Sequence, residues 1–139
     1  MSLFALDTDI LSHYHAGHPV VRQNVAARPP GEVVLTVISV EESLSGWLAY
    51  IRRARRPDRL ALGYERLARA VEALTGWTIL PFPAAAITRF EQLTAMRLGV
   101  GAYDLRIGAI ALEHNATVVT RNVKHFARIP GLAVADWSV

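Results

Sequence analysis

The run Glu32-Val33-Val34-Leu35-Thr36-Val37-Ile38 is apolar and rich in β-branched residues, and it follows the turn-forming cluster Arg28-Pro29-Pro30-Gly31. These features predict a strand that is buried on both faces. Similar runs occupy residues 2–6, 77–80 and 117–120, and a fifth short strand is expected at residues 132–135. Strands without alternating polar residues are typical of a parallel sheet that is covered by helices on both sides.

Helical patterns separate these runs. They cover residues 10–27 (with a break near 17–19), 39–56, 59–74, 84–98 and 104–115, and a short turn of helix is expected at 123–126. Alternation of strands and helices predicts the α/β class. The expected architecture is therefore an α/β/α sandwich around a parallel sheet of about five strands, in a single domain that spans residues 1–139.

Composition narrows the class of protein. The 139 residues include no cysteine, which excludes disulfides, thiolate metal sites and a cysteine nucleophile. The longest uncharged apolar run, residues 33–40, is far shorter than the roughly 20 residues that a membrane span requires. The chain opens without a basic segment or a long apolar segment, so no secretion signal is evident. These features predict a cytoplasmic protein without a membrane association.

The charge is basic, with a formal net charge of +3 and 14 arginines against one lysine. Five of the arginines fall between Arg52 and Arg59. A basic balance is compatible with a polyanionic partner such as nucleic acid. A solvated basic helix end accounts for the same residues equally well.

Oxygen-bearing side chains follow the ends of several predicted strands. Asp7 comes directly after the first strand, Glu42 lies just beyond the second, Asp104 opens a helix, and Asn122 follows the fourth strand. In a parallel sheet, functional groups collect at the carboxyl ends of the strands. Mg²⁺ and Mn²⁺ bind carboxylates together with retained waters, and a cation relieves the repulsion between clustered carboxylates. The pattern indicates a divalent metal site.

Each of these residues also has a structural explanation. Ser39-Val40-Glu41-Glu42 fits a capping box, in which Glu42 reaches back to cap its own helix. Asp104 and Asn122 could be helix N-caps, and Asp9 is predicted to be one. Asp7 is harder to explain in this way, because a carboxylate that follows a buried strand needs a partner. His13, His15 and His18 are clustered, but their spacing does not place all three on one helical face, and His114 and His125 show no partner pattern.

The order and spacing of several short motifs resemble the PIN-domain ribonucleases, particularly the VapC toxins of bacterial toxin–antitoxin pairs. The similarity covers nearly the full length. It rests on Leu6-Asp7-Thr8-Asp9-Ile10-Leu11-Ser12, on Thr36-x-x-Ser39-x-x-Glu42 with Gly46 behind it, on Asp104-Leu105-Arg106-Ile107-Gly108-Ala109-Ile110-Ala111, and on Val119-Thr120-Arg121-Asn122 with His125-Phe126, Pro130-Gly131-Leu132 and Asp136-Trp137.

The resemblance implies a metal-dependent endoribonuclease with Asp7, Glu42 and Asp104 as its three acidic ligands for Mg²⁺ or Mn²⁺. The fourth family position is often Asp and is Asn122 here, which lowers the negative charge of the site. Asn122 would then orient a metal-bound water or the substrate. Four further residues are predicted to contact the substrate or to support the ligands: Thr8, Arg106, Thr120 and Arg121.

The family further implies RNA as substrate, a VapB-like antitoxin that covers the site, and a homodimer. Two alternatives remain at this point. A haloacid dehalogenase-type phosphatase is suggested by Asp7-x-Asp9, although the only lysine is Lys124 and no Asp-Asp pair occurs. A PIN-like module that binds RNA or protein without cleaving is the other.

Overall fold

The computed structural model describes residues 2–139. The five strands are β1 (Leu3–Leu6), β2 (Val33–Thr36), β3 (Ile79–Leu80), β4 (Ala116–Val119) and β5 (Ala133–Ala135). Within the described range the α-helices are α1 (Thr8–His15), α2 (Pro19–Ala26), α3 (Val37–Arg53), α4 (Pro57–Ala73), α5 (Ala84–Ala95), α6 (Ala102–Glu113) and α7 (Val123–Phe126).

The strands form one sheet in the order β3-β2-β1-β4-β5, and every neighbouring pair is parallel. Successive side chains of a strand point to opposite faces of the sheet. Ala5 lies beside Val34 and Val118, and all three enter a core that helices α5, α6 and α7 cover. The next register position carries Leu6, Leu35 and Val119, which enter a second core beneath α1 and α2. The α/β/α sandwich predicted from the sequence is confirmed.

The topology determines where polar groups collect. From the central strand β1 the chain builds β2 and β3 on one side, and it later adds β4 and β5 on the other side. Ligand sites of open parallel sheets lie where the strand order reverses in this way, beyond the carboxyl ends of the strands. The backbone amide of Asp7 donates to the carbonyl of Val119 at 2.9 Å. Residues that leave β1 and β4 therefore start from adjacent positions.

Helices α1, α3, α4 and α6 each begin two residues earlier than the sequence pattern predicts. Strand β2 ends at Thr36 instead of Ile38, because the Thr36 hydroxyl accepts a hydrogen bond from the backbone amide of Ser39 at 3.3 Å and caps α3. Helix α1 begins at Thr8, and its N-cap is Asp7. The prediction that Asp9 is the N-cap is wrong, since Asp9 lies in the first turn.

No helix in residues 2–139 combines the length and the apolar character that crossing a membrane requires.

Candidate active site

Asp7 is held rigidly at the end of β1. Its side chain is only 7% exposed. Oδ1 accepts a hydrogen bond from the backbone amide of Ile10 at 2.8 Å, and Oδ2 accepts one from the Thr120 hydroxyl at 2.6 Å. Thr120 is itself fully buried and accepts a hydrogen bond from the backbone amide of Asn122 at 3.0 Å. One carboxylate thus connects β1, α1 and the segment that follows β4.

Burial raises the pKa of the Asp7 carboxyl from 3.8 to about 6, although the hydrogen bonds from Ile10 and Thr120 act to lower it. The negative charges of Asp9 and Asp104 raise the pKa further. A carboxyl group with a strongly raised pKa in a cleft is a common feature of functional sites. The position favours a bound cation, which would stabilise the ionised form.

The Glu42 carboxylate, on α3, is held by a hydrogen bond from a residue of α1. Its Oε1 accepts a hydrogen bond from the Thr8 hydroxyl at 2.7 Å, and the Ser39 hydroxyl oxygen lies 3.3 Å from that of Thr8. Glu42 lies in the second turn of α3, which Thr36 caps. The alternative interpretation of Ser39–Glu42 as a capping box is therefore wrong. The contact with Thr8 brings the start of α3 against the start of α1.

Asp104 lies in the first turn of α6, whose N-cap is Gly101, so it is not the N-cap of its helix. Its Oδ2 lies 3.0 Å from Nε2 of His125, which belongs to α7. Sequence reasoning missed His125, because no local spacing relates it to Asp104. The only available signal was that α7 follows β4 directly, at the edge of the sheet where the acidic residues were expected.

The acidic side chains share one cavity of about 340 Å³. It is lined by Asp7, Thr8, Asp9, Glu42, Asp104, Asn122 and Phe126. Asn122 is exposed, and although it stands at the N-cap position of α7, its side chain makes no capping hydrogen bond. The helix therefore begins without using the side-chain amide as a cap. The structure brings together four of the residues proposed from sequence as catalytic.

Of the two arginines proposed for substrate binding, one lies at the rim of the cavity and the other points away from it. Arg121 is exposed, with its guanidinium 3.0 Å from His13 Nε2 and 3.9 Å from Asp9 Oδ2, at the rim of the acidic cavity. The guanidinium of Arg106 packs over the rings of Phe90 and Tyr103 at 5.1 and 5.6 Å. Arg106 is two residues beyond Asp104 on α6, which turns its side chain about 200° around the helix and away from the cavity.

The donor set suits a hard divalent cation. The residues that line the cavity supply four carboxylates and one amide, and none of them is lysine or arginine. Within residues 2–139, no three acidic or histidine side chains are arranged closely enough to hold an ion without rearrangement. Mg²⁺ commonly uses only one or two carboxylates and keeps several waters. The open cavity, with its carboxylates and room for retained waters, fits that mode of binding.

Comparison with known proteins agrees with this geometry. The PIN domain family model matches residues 4–132. Ribonuclease VapC1 of Haemophilus influenzae strain R2866 is 28% identical over 143 aligned positions that cover 98% of each chain. The tRNA(fMet)-specific endonuclease VapC of Shigella flexneri is 26% identical and covers 99% of this chain and 100% of its own. The DNA-bound VapBC structure from Salmonella typhimurium superposes with a TM-score of 0.77 at 25% identity, covering 99% of both chains.

The phosphatase alternative is thereby excluded, and the resemblance seen in the sequence motifs is confirmed: the chain belongs to the PIN domain family.

Proposed function

We propose that this protein is a metal-dependent endoribonuclease that acts as the toxin of a toxin–antitoxin pair. The observation that carries the proposal is the shared cavity of Asp7, Glu42 and Asp104 at the switch point of a PIN-domain sheet. Matched relatives named as ribonucleases over nearly the whole chain support it. We further propose that residues 1–139 act as a single catalytic domain and that this domain meets its RNA substrate in the cytoplasm.

Asp7, Glu42 and Asp104 would hold Mg²⁺ or Mn²⁺, and such an ion supplies a water of lowered pKa and offsets charge on the phosphate. Asp7 would offer a rigid oxygen, because Ile10 and Thr120 fix its carboxylate. His125 would hold Asp104 towards the cavity. Asn122, an uncharged amide at the cavity wall, would orient the attacking water or the substrate phosphate without adding negative charge.

The proposal is tested by incubating the purified protein with labelled single-stranded and structured RNA in Mg²⁺, in Mn²⁺ or in EDTA. We expect cleavage with either metal and none in EDTA. Glu42→Gln should lower the rate by about 100-fold or more, because a neutral amide is a weaker ligand for a hard cation. Glu65→Gln is the matched control, since Glu65 is exposed on α4 and pairs with Arg69 at the surface, away from the acidic cavity.

Cleavage that persists in EDTA would contradict the metal dependence. Equal losses in the two glutamate variants would contradict the assignment of Glu42. The protein must first be shown to be free of antitoxin. If it then binds RNA in the presence of metal but does not cleave it, a non-catalytic RNA-binding module is favoured.

Thr8→Val should lower the rate of cleavage by about 10- to 100-fold, because the hydroxyl that orients Glu42 is lost while the β-branched shape is kept. Thr8→Ser retains the hydroxyl and should restore most of the rate. The measurement is the single-turnover rate at saturating metal, with the thermal midpoint recorded for each variant. A valine variant that cleaves like the wild type would show that Glu42 does not depend on Thr8.

The solved relatives also indicate a partner. The matched structures include VapBC complexes and toxin–antitoxin complexes, one of them from Klebsiella pneumoniae. We extend this to the present chain as a VapB-like antitoxin that covers the acidic cavity, together with homodimerisation of the toxin. Co-expression with a cognate VapB-like antitoxin should suppress cleavage, and removal of that antitoxin should restore it.

A further inference from the structure

A second polar cavity lies at the junction of α3 and α4, outside the acidic site. It has a volume of about 370 Å³ and is lined by Tyr50, Arg53, Ala54, Arg55, Arg56 and Arg59. Four guanidinium groups therefore surround one concavity, beside one aromatic ring. We call this set of residues the arginine pocket.

The charges of the arginine pocket are only partly neutralised. Arg56 forms a two-pronged contact with Asp58, at 3.1 and 3.3 Å. In the described part of the chain no carboxylate pairs with Arg53, Arg55 or Arg59. Three positive charges are thus free to bind an anion.

Helix energetics does not explain this arrangement. Arg53 is in the last turn of α3, where a cation is stabilised by the helix dipole. Arg59 is in the first turn of α4, where a cation is disfavoured, and the N-terminus of α4 has no side-chain cap. The uncapped amides add their own positive potential to that of the arginines. The end of α3 thus accounts for Arg53, whereas the helix dipole does not account for a cation at Arg59.

Arg53, one member of the arginine pocket, lies on the same side of α3 as Glu42. Arg53 lies 11 residues beyond Glu42 on one continuous helix, which corresponds to about three turns and roughly 16 Å along the axis. Gly46 lies one turn beyond Glu42 on this face, and there is open space where its side chain would be. The helical spacing places Arg53 and Glu42 along one side of α3, which a strand of nucleic acid could follow.

We propose that the arginine pocket binds the phosphodiester backbone of the RNA substrate at a distance from the scissile bond. This inference rests on the proposed ribonuclease function. Guanidinium forks match phosphate oxygens, and exposed arginines bind RNA through counterion release without reading its sequence. Tyr50 offers a ring on which a base can stack. The acidic cavity repels RNA, so the pocket supplies the attraction that the site itself lacks.

The test is direct binding of a labelled single-stranded oligouridylate in EDTA, measured by fluorescence anisotropy over a range of salt concentrations. The test variant carries Arg53→Gln, Arg55→Gln and Arg59→Gln. We expect about tenfold weaker binding at low salt and a salt slope that is smaller by about 2, which is roughly 0.7 for each of three lost phosphate contacts.

A charge-matched control carries Arg22→Gln, Arg89→Gln and Arg97→Gln, all exposed and outside α3 and α4. It should keep most of the affinity and the salt slope. Equal weakening in both triple variants would show that binding depends only on net charge, and it would overturn the proposal. Unchanged binding in the test variant would also overturn it. Cleavage of RNA in Mn²⁺ by the wild type is assayed separately. A protein that cleaves RNA without binding it through the arginine pocket is thereby distinguished from one that does not cleave RNA.

Discussion

Asp7→Asn should abolish metal-dependent RNA cleavage and, at the same time, make the metal-free protein more stable at neutral pH. The loss of activity should reach about 1,000-fold or more, because a buried ionised ligand is replaced by a neutral amide. The gain in stability has the same origin. Asp7 is nearly inaccessible to water, and its ionised form is disfavoured in the fold without a cation.

The pH dependence distinguishes this explanation from a general packing effect. The pKa of Asp7 is about 6 in the folded protein against 3.8 as the ordinary value. Between these values the folded protein holds more protons than the unfolded chain, so the free energy of unfolding falls as the pH rises. The loss of unfolding free energy that comes from ionising Asp7 in the fold reaches its full value above about pH 6, and it amounts to about 1 to 3 kcal/mol. Asparagine carries no such cost.

Thermal unfolding of the two proteins in EDTA, from pH 4 to pH 8, measures the difference. The midpoint of Asp7→Asn should exceed that of the wild type by about 5 to 10 °C at pH 8, and the two should converge near pH 4. Added Mn²⁺ should stabilise the wild type and leave the variant nearly unchanged. A variant that is less stable than the wild type at pH 8 would contradict the cost of ionisation at this position.

Sequence reasoning found the acidic residues from the expected topology together with the motif resemblance. Asp7 and Glu42 lie just beyond β1 and β2, and Asp104 lies in the first turn of the helix that leads back to β4, so all three are expected at the edge of the sheet where its parallel strands end. The partners that position them were not readable in the same way. Thr120 binds Asp7 across 113 residues, and Thr8 binds Glu42 across 34. Such pairs depend on side-chain directions that only the assembled sheet defines.

Two neighbouring residues that can both act as N-caps explain why the start of α3 was predicted too late. Thr36 and Ser39 are both capable N-caps, so the sequence at this point permits two starts for α3. Pairing within the sheet decides between them, because Thr36 is the last residue of β2 that has a partner in β3. For Arg106 the error was to infer a role in the site from closeness in sequence. It is close to Asp104 in sequence, yet the helical rotation between them turns it against Phe90.

Phe126→Ala should cause the largest loss of stability among simple substitutions near the site. Phe126 is 1% exposed, and it belongs to the core between the sheet and helices α5, α6 and α7. Its ring also forms part of the wall of the acidic cavity. Truncating a buried phenylalanine costs about 3 to 5 kcal/mol, because both the transfer energy and the packing around the resulting void are lost.

Phe126→Leu is the matched control, since it retains most of the apolar volume and should cost less than about 1.5 kcal/mol. Urea denaturation separates the two, with a lower midpoint and an unchanged slope expected for Phe126→Ala. Because His125 is the preceding residue of the same short helix, loosening α7 should also weaken its approach to Asp104. Cleavage by Phe126→Ala should therefore fall even at temperatures where the variant remains folded. If folded Phe126→Ala cleaves at the wild-type rate, α7 does not position Asp104, and the contribution of Phe126 is to stability alone.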